Sequence, residues 1–215
     1  MTRIRVLDPG TTRAPRRRSF GAVSVRRRPS DGQSVVEFAL VIPIVVVLLM
    51  GIIEFALVLN ALLGINFASR EAALIAAEAG SASGADCVIL KKVQDSVGAP
   101  SDSRMITAVR IYKATTAGID TGVGNDYDRG GTTACPLPGD PSATLSFRRI
   151  SNAYPETSRC NYLAGCQGPV RPLDHVGVQI TYAYTWHTPL SYLINLGGSG
   201  YTMVKANAMR MEPIL

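Results

Sequence analysis

The side chains most able to form covalent bonds or bind a metal are four cysteines and two histidines. All four cysteines lie between residues 87 and 166. If that part of the chain is exported, their even number favours two disulfides, and four cysteines allow three pairings. The last two are close enough to close a short loop, which would leave the first two to pair with each other. Zinc is disfavoured, because no Cys-x2-Cys pair occurs. The sequence therefore predicts two disulfides among Cys87, Cys135, Cys160 and Cys166. No metal site is predicted, and His175 and His187 are the only histidines in the sequence.

The remaining polar side chains do not form a recognisable catalytic pattern. Asp120, Asp126 and Asp128 offer the oxygen ligands that Ca²⁺ prefers, but their spacing does not fit the twelve-residue calcium loop, so we expect a solvated loop. Asp174 and His175 are neighbours, which would place them on opposite faces of a strand and favours a turn or strand-end role over an acid–base pair. No P-loop, dinucleotide-binding, serine-hydrolase or zinc-protease motif occurs. The sequence thus predicts a protein that is not an enzyme and has no cofactor.

One apolar run near the N-terminus must position everything that follows. Residues 38–59 read FALVIPIVVVLLMGIIEFALVL, with Glu54 as the only charge. A helix of this length reaches about 33 Å, enough to cross the hydrocarbon core of a bilayer. Pro43 lies in its first turns and can bend the helix without ending it, because neighbouring helices can satisfy the freed carbonyl. The run therefore predicts one transmembrane helix.

The charge on either side of this run predicts its orientation. Residues 1–31 carry nine arginines against two aspartates, whereas the whole chain has a net charge of +6. Positive flanks stay in the cytoplasm, so the C-terminal part is expected outside. The C-terminal part has no excess of basic residues that would indicate nucleic-acid binding. The arginines of residues 1–31 are explained by membrane topology and by attraction to anionic lipid. We expect a single-pass protein of the cytoplasmic (inner) membrane with a basic, disordered cytoplasmic leader over residues 1–32. The alternative for this stretch is that translation begins later, at a valine-coded start such as Val23 or Val25, so that part of it is never made.

Beyond Asn60 the helix is predicted to continue as an amphipathic extension that ends before Gly80. Small and apolar residues recur there at steps of three and four, which suits close packing on a sheet or on another helix. These residues are Ile65, Ala68, Ala72, Ile75, Ala76 and Ala79. Glu54 lies about 25 Å beyond Glu37 along the axis and thus near the outer interface. There it either extends to the headgroups or makes a polar contact with a partner helix.

The rest of the chain, residues 80–215, is predicted to form one exported domain. A second helix is expected from Ala85 to Val97, and strands at 105–113, 143–149, 175–186 and 201–211, the last two paired antiparallel. Residues 114–140 are rich in Gly, Thr, Asp and Pro and are expected to be loops, and 189–196 a short helical turn. The predicted fold class is α+β, with a long N-terminal helix packed on a small antiparallel β-sheet.

A glycine and an acid stand just before the apolar run. An ordinary secretory signal carries its small residues after the run and is removed together with it. Here Gly32 is followed by Gln33, and Glu37 comes five residues after the glycine. A carboxylate at the edge of a bilayer is expensive alone, and a terminal ammonium from a neighbouring subunit would neutralise it. The alternative is that Glu37 only interacts with the positive end of the helix dipole.

The stretch GQSVVEFALVIPIVVVLLMGIIEFALVLNALLGINFASREAALIAAEAG resembles the TadE-like family, minor pseudopilins of the Tad (tight adherence, Flp) pilus systems. The matching residues are Gly32, Glu37, Phe38, Pro43 and Glu54, together with the alanine-rich continuation at 68–73. The C-terminal segment VGVQITYAYTWHTPL and the closing strand match loosely. The resemblance implies a class III signal peptide, cut between Gly32 and Gln33 by a prepilin peptidase on the cytoplasmic side, so that the pilin-like helix over 33–79 is retained.

The resemblance also implies the partners of the mature chain. These are the membrane, the prepilin peptidase, other pilin and pseudopilin subunits, and the Tad assembly platform. Glu37, Phe38, Pro43 and Glu54 would contribute to assembly, and the pilus would serve surface adhesion. The alternative function is an uncleaved, membrane-tethered exported binding domain.

Overall fold

The structure is a computed structural model that describes residues 31–137, 139–162, 166, 172–189, 192, 198 and 200–212. The chain divides into two compact units, Met1–Ile42 and Pro43–Leu215. Helix α1 spans Asp31–Ala79, so the described part of the first unit is the beginning of that helix. The predicted leader before residue 31 and most of the predicted turn at 189–196 lie outside the described residues.

The second unit combines helices with one antiparallel sheet. Helix α2 spans Ala85–Ser96. The strands are β1 (Ile106–Ala114), β2 (Asp120–Ala134), β3 (Thr144–Arg149), β4 (His175–Thr185) and β5 (Gly200–Arg210). Their spatial order is β3-β2-β1-β4-β5, and every neighbouring pair is antiparallel. The predicted α+β class, with a long apolar N-terminal helix and an antiparallel sheet, is confirmed.

The outer half of α1 is a core element of this unit. Its buried residues recur at three- and four-residue steps and are at most 2% exposed: Ala61, Ile65, Ala68, Ala72, Ala73, Ala76 and Ala77. They share one core with α2 and with the inward side chains of the sheet. Alanine on this stripe lets the helix backbone approach the sheet closely. Asn207 on β5 adds a polar contact, because its Nδ2 donates to Ser69 Oγ of α1 at 2.6 Å.

Strand β4 supplies the centre of the inner face of the sheet. Its alternating apolar and aromatic residues predicted a strand with one buried face. The structure confirms this face, whose members are between 0 and 3% exposed: Val176, Val178, Ile180, Tyr182 and Tyr184. On the opposite face Tyr112 of β1 lies over Gly177, where any Cβ would come within 2.2 Å of the tyrosine ring. A side chain at position 177 would therefore displace Tyr112.

The prediction of loops over 114–140 is wrong for residues 120–134, which form the long strand β2. Its composition is poor for a strand, but it pairs with β1 on one side and β3 on the other. Its aspartates Asp126 and Asp128 bind arginines of those neighbours, Arg110 on β1 and Arg148 on β3. Cross-strand ion pairs of this kind stabilise a strand whose own propensity is low.

The connection between the two helices depends on residues far along the chain. Gly80 ends α1 with φ 55°, and a Cβ there would lie 2.2 Å from Asn161 Nδ2, so only glycine fits. Gly84 is the N-cap residue of α2 and has no side chain to cap the helix. Glu156 takes that role instead, accepting hydrogen bonds from the backbone N–H of Gly84 at 3.0 Å and of Asp86 at 2.8 Å.

Candidate functional site

The part of α1 that precedes the domain core has an apolar surface. Its large apolar residues from 44 onward are between 38 and 66% exposed: Ile44, Val45, Val46, Val47, Leu48, Leu49, Ile52 and Ile53. The helix is long and apolar enough to cross a membrane, and its most apolar window has a mean hydropathy of 2.9 and no buried residues. A helix that exposes apolar side chains in this way needs lipid or other helices around it. This surface indicates a membrane anchor.

The residues predicted for processing and assembly form the first turns of α1. Gln33 Nε2 donates a hydrogen bond to Glu37 Oε1 at 3.1 Å, and Phe38 is 64% exposed. Nothing lies within 4 Å of the place where a Cβ on Gly32 would be. In the part of the chain that the structure describes, no cation forms an ion pair with Glu37. The side chain of Glu37 is exposed, and the roles of these residues stay predictions.

Glu54 is only 3% exposed although it belongs to the apolar run. Its carboxylate is bound by the end of β4 and the residues that follow it. Tyr184 OH donates to Oε1 at 2.5 Å, and the backbone N–H of Thr188 donates to Oε2 at 2.7 Å. The N–H of His187 lies 3.2 Å from both oxygens. We call these four residues the Glu54 clasp; it lies within one chain, and the proposed role of Glu54 in assembly stays a prediction.

The clasp holds its anion with hydrogen-bond donors that carry no charge. Burial, together with the hydrogen bond to Glu54, raises the pKa of Tyr184 above its usual value, so its hydroxyl stays a donor at physiological pH. The Nδ1 atom of His187 is 3.3 Å from the same hydroxyl. Three donors converging on one carboxylate fix the position of the helix relative to the end of the sheet. The arrangement is suited to holding α1 in register.

Replacing Glu54 with glutamine is expected to destabilise the domain although the shape is conserved. An amide has one acceptor oxygen, so in one orientation its NH₂ group faces the N–H of Thr188. In the other orientation the Tyr184 hydroxyl must turn to accept from the NH₂ group, and its hydrogen bond to a charged oxygen is lost. The expected loss is about 1–3 kcal/mol of unfolding free energy. Thermal unfolding of the detergent-solubilised chain, followed by near-UV circular dichroism, measures it. Glu78→Gln, at an exposed position of the same helix, is the matched control; equal stability of the two variants would contradict the role of the clasp.

A second buried polar group lies where α2 meets the loop after β3. Asp86 is 3% exposed and pairs with Arg159, whose side chain has no exposed surface. Its Oδ2 also accepts from Tyr127 OH at 2.5 Å and from Asn125 Nδ2 at 2.8 Å. Burial, and then the neighbouring Asp86 carboxylate, raises the pKa of Tyr127 far above its usual range. The group is fully enclosed, which indicates a structural role.

The three aspartates considered for calcium bind arginines instead. Asp120 Oδ2 and Asp126 Oδ1 both lie 2.7 Å from Arg110. Partial burial opposes ionisation of Asp126, but hydrogen bonds from Arg110 and Ser151 outweigh it and hold the pKa of that carboxyl below its usual value. Asp128 is 2.8 Å from an arginine of β3. Among the described residues, no three His, Cys, Asp or Glu side chains are grouped so that they could hold a metal ion.

Asp174 marks the start of β4, as its predicted strand-end role requires. It is 5% exposed and accepts a hydrogen bond from the N–H of Cys160 at 3.1 Å. Lys113 Nζ lies 2.7 Å from its other oxygen, and Tyr154 OH lies at 3.2 Å. His175 begins the strand beside it. The aspartate therefore attaches the cysteine-containing loop to the ends of β1 and β4.

The cysteines pair in the way that the short-loop argument suggested. Cys87 on α2 is bonded to Cys135 just after β2, with 5.3 Å between their Cα atoms. Cys160 is bonded to Cys166, with a Cα separation of 5.4 Å. The first bond closes a segment of 48 residues and constrains the unfolded chain more than the second, which closes only six.

The structure thus does not bring the predicted site residues into one pocket. The processing residues lie at the start of α1, Glu54 lies in the clasp, and the disulfides lie in the domain. Sequence reasoning missed Tyr184, Thr188 and the Asp86–Arg159 pair. A lone acid in an apolar run signals a buried partner, but it does not say where in the chain the partner lies.

One comparison with known proteins found a match, and it covers much of α1. The sequence model described as TadE-like protein matches residues 32–74. The match begins at the glycine of the predicted processing site and ends within the amphipathic half of α1, and it indicates a protein associated with a Tad pilus. None of the curated proteins or solved structures compared with the chain matches it. Residues 32–74 are therefore a TadE-like segment, which confirms the resemblance inferred from the sequence.

Proposed function

We propose that the protein is a minor pilin-like subunit (pseudopilin) of a Tad/Flp-type IV pilus, involved in pilus assembly and surface adhesion. The observation that carries the proposal is that α1 is both the apolar segment and a core element of the domain. Ile65 and Ala68 on this helix have no exposed surface. A cut directly after the apolar run, at residue 59, would remove Glu54 and leave the donors of the Glu54 clasp without their acceptor, at a cost of about 1–3 kcal/mol for each buried group left unpaired. This dependence of the domain on α1 supports a mature protein that keeps the helix.

Retention of the helix favours a cut on its N-terminal side. There a prepilin peptidase would hydrolyse the bond between Gly32 and Gln33, removing the basic leader 1–32. The mature chain would consist of the helix 33–79 and the exported domain 80–215. Its N-terminus would face the cytoplasm and its domain the outside of the inner membrane, and the subunit would later be incorporated into a pilus.

The exposed side of the outer half of α1 supports assembly with other subunits. Leu59, Leu63, Phe67 and Leu74 are between 41 and 58% exposed there, spaced at steps of four and seven. Such a stripe can pack against the helix of a neighbouring pilin or pseudopilin. Withdrawing the apolar half of α1 from lipid requires work that the Tad assembly platform would supply. The proposed role is structural and needs neither a catalytic residue, a cofactor nor nucleic acid.

Mass spectrometry of the N-terminus of the protein purified from its native membrane tests this proposal. The expected mature chain begins at Gln33 and still contains the apolar helix. A chain with an intact bond between residues 32 and 33, in cells that contain the peptidase, would instead support the uncleaved, membrane-tethered binding domain. A chain lacking residues 33–59 would contradict both functions.

Replacing Glu37 with alanine is expected to permit cleavage but to lower incorporation into pili by at least about tenfold, because the terminal ammonium of a neighbour would lose its counter-ion in lipid. Counting the protein in sheared pili against the membrane fraction measures this ratio. Glu78→Ala, exposed on the same helix but outside the apolar run, is the control. Unchanged piliation in the Glu37 variant would remove the proposed role of this acid.

A further inference from the structure

We propose that the end of the domain beside Glu54 rests on the outer leaflet of the membrane through an aromatic rim. The rim consists of Phe55, Trp186, Tyr192 and Tyr201, and its proposed partner is the headgroup region of a lipid bilayer. This inference rests on the proposed membrane anchoring and goes beyond it, because it assigns a second contact between the domain and lipid.

The position of the rim follows from the clasp. The uncharged run 38–53 covers about 24 Å as a helix, so an acid directly after it lies near the outer edge of a hydrocarbon core of about 30 Å. Glu54 is that acid, and it is hydrogen-bonded to Tyr184, His187 and Thr188. The end of β4 is therefore held at the level where the helix leaves the lipid.

The side chains at this level are of the type that prefers the interface. Tyr192 is 90% exposed, Phe55 is 64% exposed and Tyr201 is 60% exposed. Tyr201 pairs in register with Tyr184 of the clasp, so both lie on the helix side of the sheet. Trp186 is half-buried and packs in an edge-to-face arrangement on Tyr184, with 5.8 Å between ring centroids. Tyrosine and tryptophan concentrate at the boundary between lipid and water, where an apolar ring and a polar group are both accommodated.

The opposite end of the sheet provides an internal contrast. The turn between β1 and β2 holds Ile119, which is 66% exposed. Strand β1 runs antiparallel to β4, and Ala114 at its end pairs with His175 at the start of β4. Ile119 is thus separated from the rim by the length of β4, roughly 30 Å for 11 residues. A domain that stands on its rim keeps this turn in water.

Depth-dependent fluorescence quenching tests the proposal, because Trp186 is the only tryptophan in the chain. The full chain is reconstituted in vesicles whose lipids carry bromine near the headgroups or near the chain ends. Two further variants in a Trp186→Phe background place the reporter at Tyr192→Trp or at Ile119→Trp. We expect headgroup-proximal bromine to quench the rim reporter at least about twofold more than deep bromine. The reporter at 119 should respond only to a water-soluble quencher.

Flotation of the same vesicles separates this inference from the anchor. Protein that floats with the vesicles but shows no bromine quenching at position 186 or 192 would overturn the rim and leave the anchor intact. Protein that does not float would overturn both. Equal quenching at 192 and 119 would mean that the domain lies flat on the bilayer, which also overturns the rim. The unsubstituted chain provides the reading at Trp186 if the Trp186→Phe background fails to fold.

Discussion

Replacing Asp86 with alanine is expected to lower the free energy of unfolding of the domain by about 3–5 kcal/mol. The carboxylate is the counter-ion of Arg159, whose side chain is fully buried and whose Nε and Nη1 atoms already have no hydrogen-bond partner among the described residues. The variant would also leave the donors of Tyr127 and Asn125 without their acceptor Oδ2. Thermal unfolding of the purified full chain in detergent measures the loss as a decrease in Tm of about 6–20 °C.

Two further variants separate the buried pair from a general effect on α2. Asp95 lies on the same helix and pairs with Lys91, but its side chain is 54% exposed, so Asp95→Ala should change stability by no more than about 0.5 kcal/mol. Removing both buried charges in Asp86→Leu with Arg159→Met should recover part of the loss of the single variant. An Asp86→Ala protein as stable as the Asp95→Ala protein would show that Arg159 does not depend on this carboxylate.

Replacing Gly32 with tryptophan is expected to abolish removal of the leader, so that the protein in the membrane retains residues 1–32. A peptidase that cuts after glycine must enclose a residue without a side chain, and a large side chain would prevent this. The helix itself tolerates the change, because nothing lies within 4 Å of the Cβ position of Gly32. Peptide mapping by mass spectrometry would find the junction peptide spanning residues 32 and 33 instead of a free Gln33.

A size series makes the result specific for this position. Gly32→Ala should be processed more slowly than the natural chain but faster than the tryptophan variant. Gly64→Ala is the matched control in the same helix, where the nearest atom to a new Cβ is Ser101 Oγ at 3.8 Å, and it should be processed normally. Complete processing of the tryptophan variant at the natural rate would remove Gly32 from the proposed cleavage site.

The clasp shows how far a lone charge can be interpreted from sequence. Glu54 is the only charge in an apolar run, and the sequence leaves two explanations open for it, extension to the headgroups or a polar contact with a partner helix. The structure shows a third environment, hydrogen bonds from Tyr184 and from the backbone after β4. Backbone donors leave no trace in residue type, so no pattern in the sequence could have indicated them.

Strand β2 is predicted as a loop for a related reason, because its pairing partners cannot be inferred from its own residues. Its glycines and aspartates favour loops, and Gly122 and Gly130 do adopt positive φ values of 86° and 139°. The strand nevertheless forms because both of its edges are paired and Arg110 binds two of its aspartates. The same side chains that indicated a solvated calcium-like loop are therefore the ion pairs of a central strand.

Residue type and spacing along the chain are enough to predict the features that depend on how one segment meets its surroundings. These are the apolar helix and its amphipathic extension, the alternating strand β4, and the TadE-like start at Gly32. Which distant residues meet is visible only in the folded chain, for example Glu54 with Tyr184, 130 residues apart, and Asp86 with Arg159, 73 residues apart. Hydropathy and periodicity are local averages, whereas the stability of a buried charge depends on a specific partner that folding brings from elsewhere in the chain.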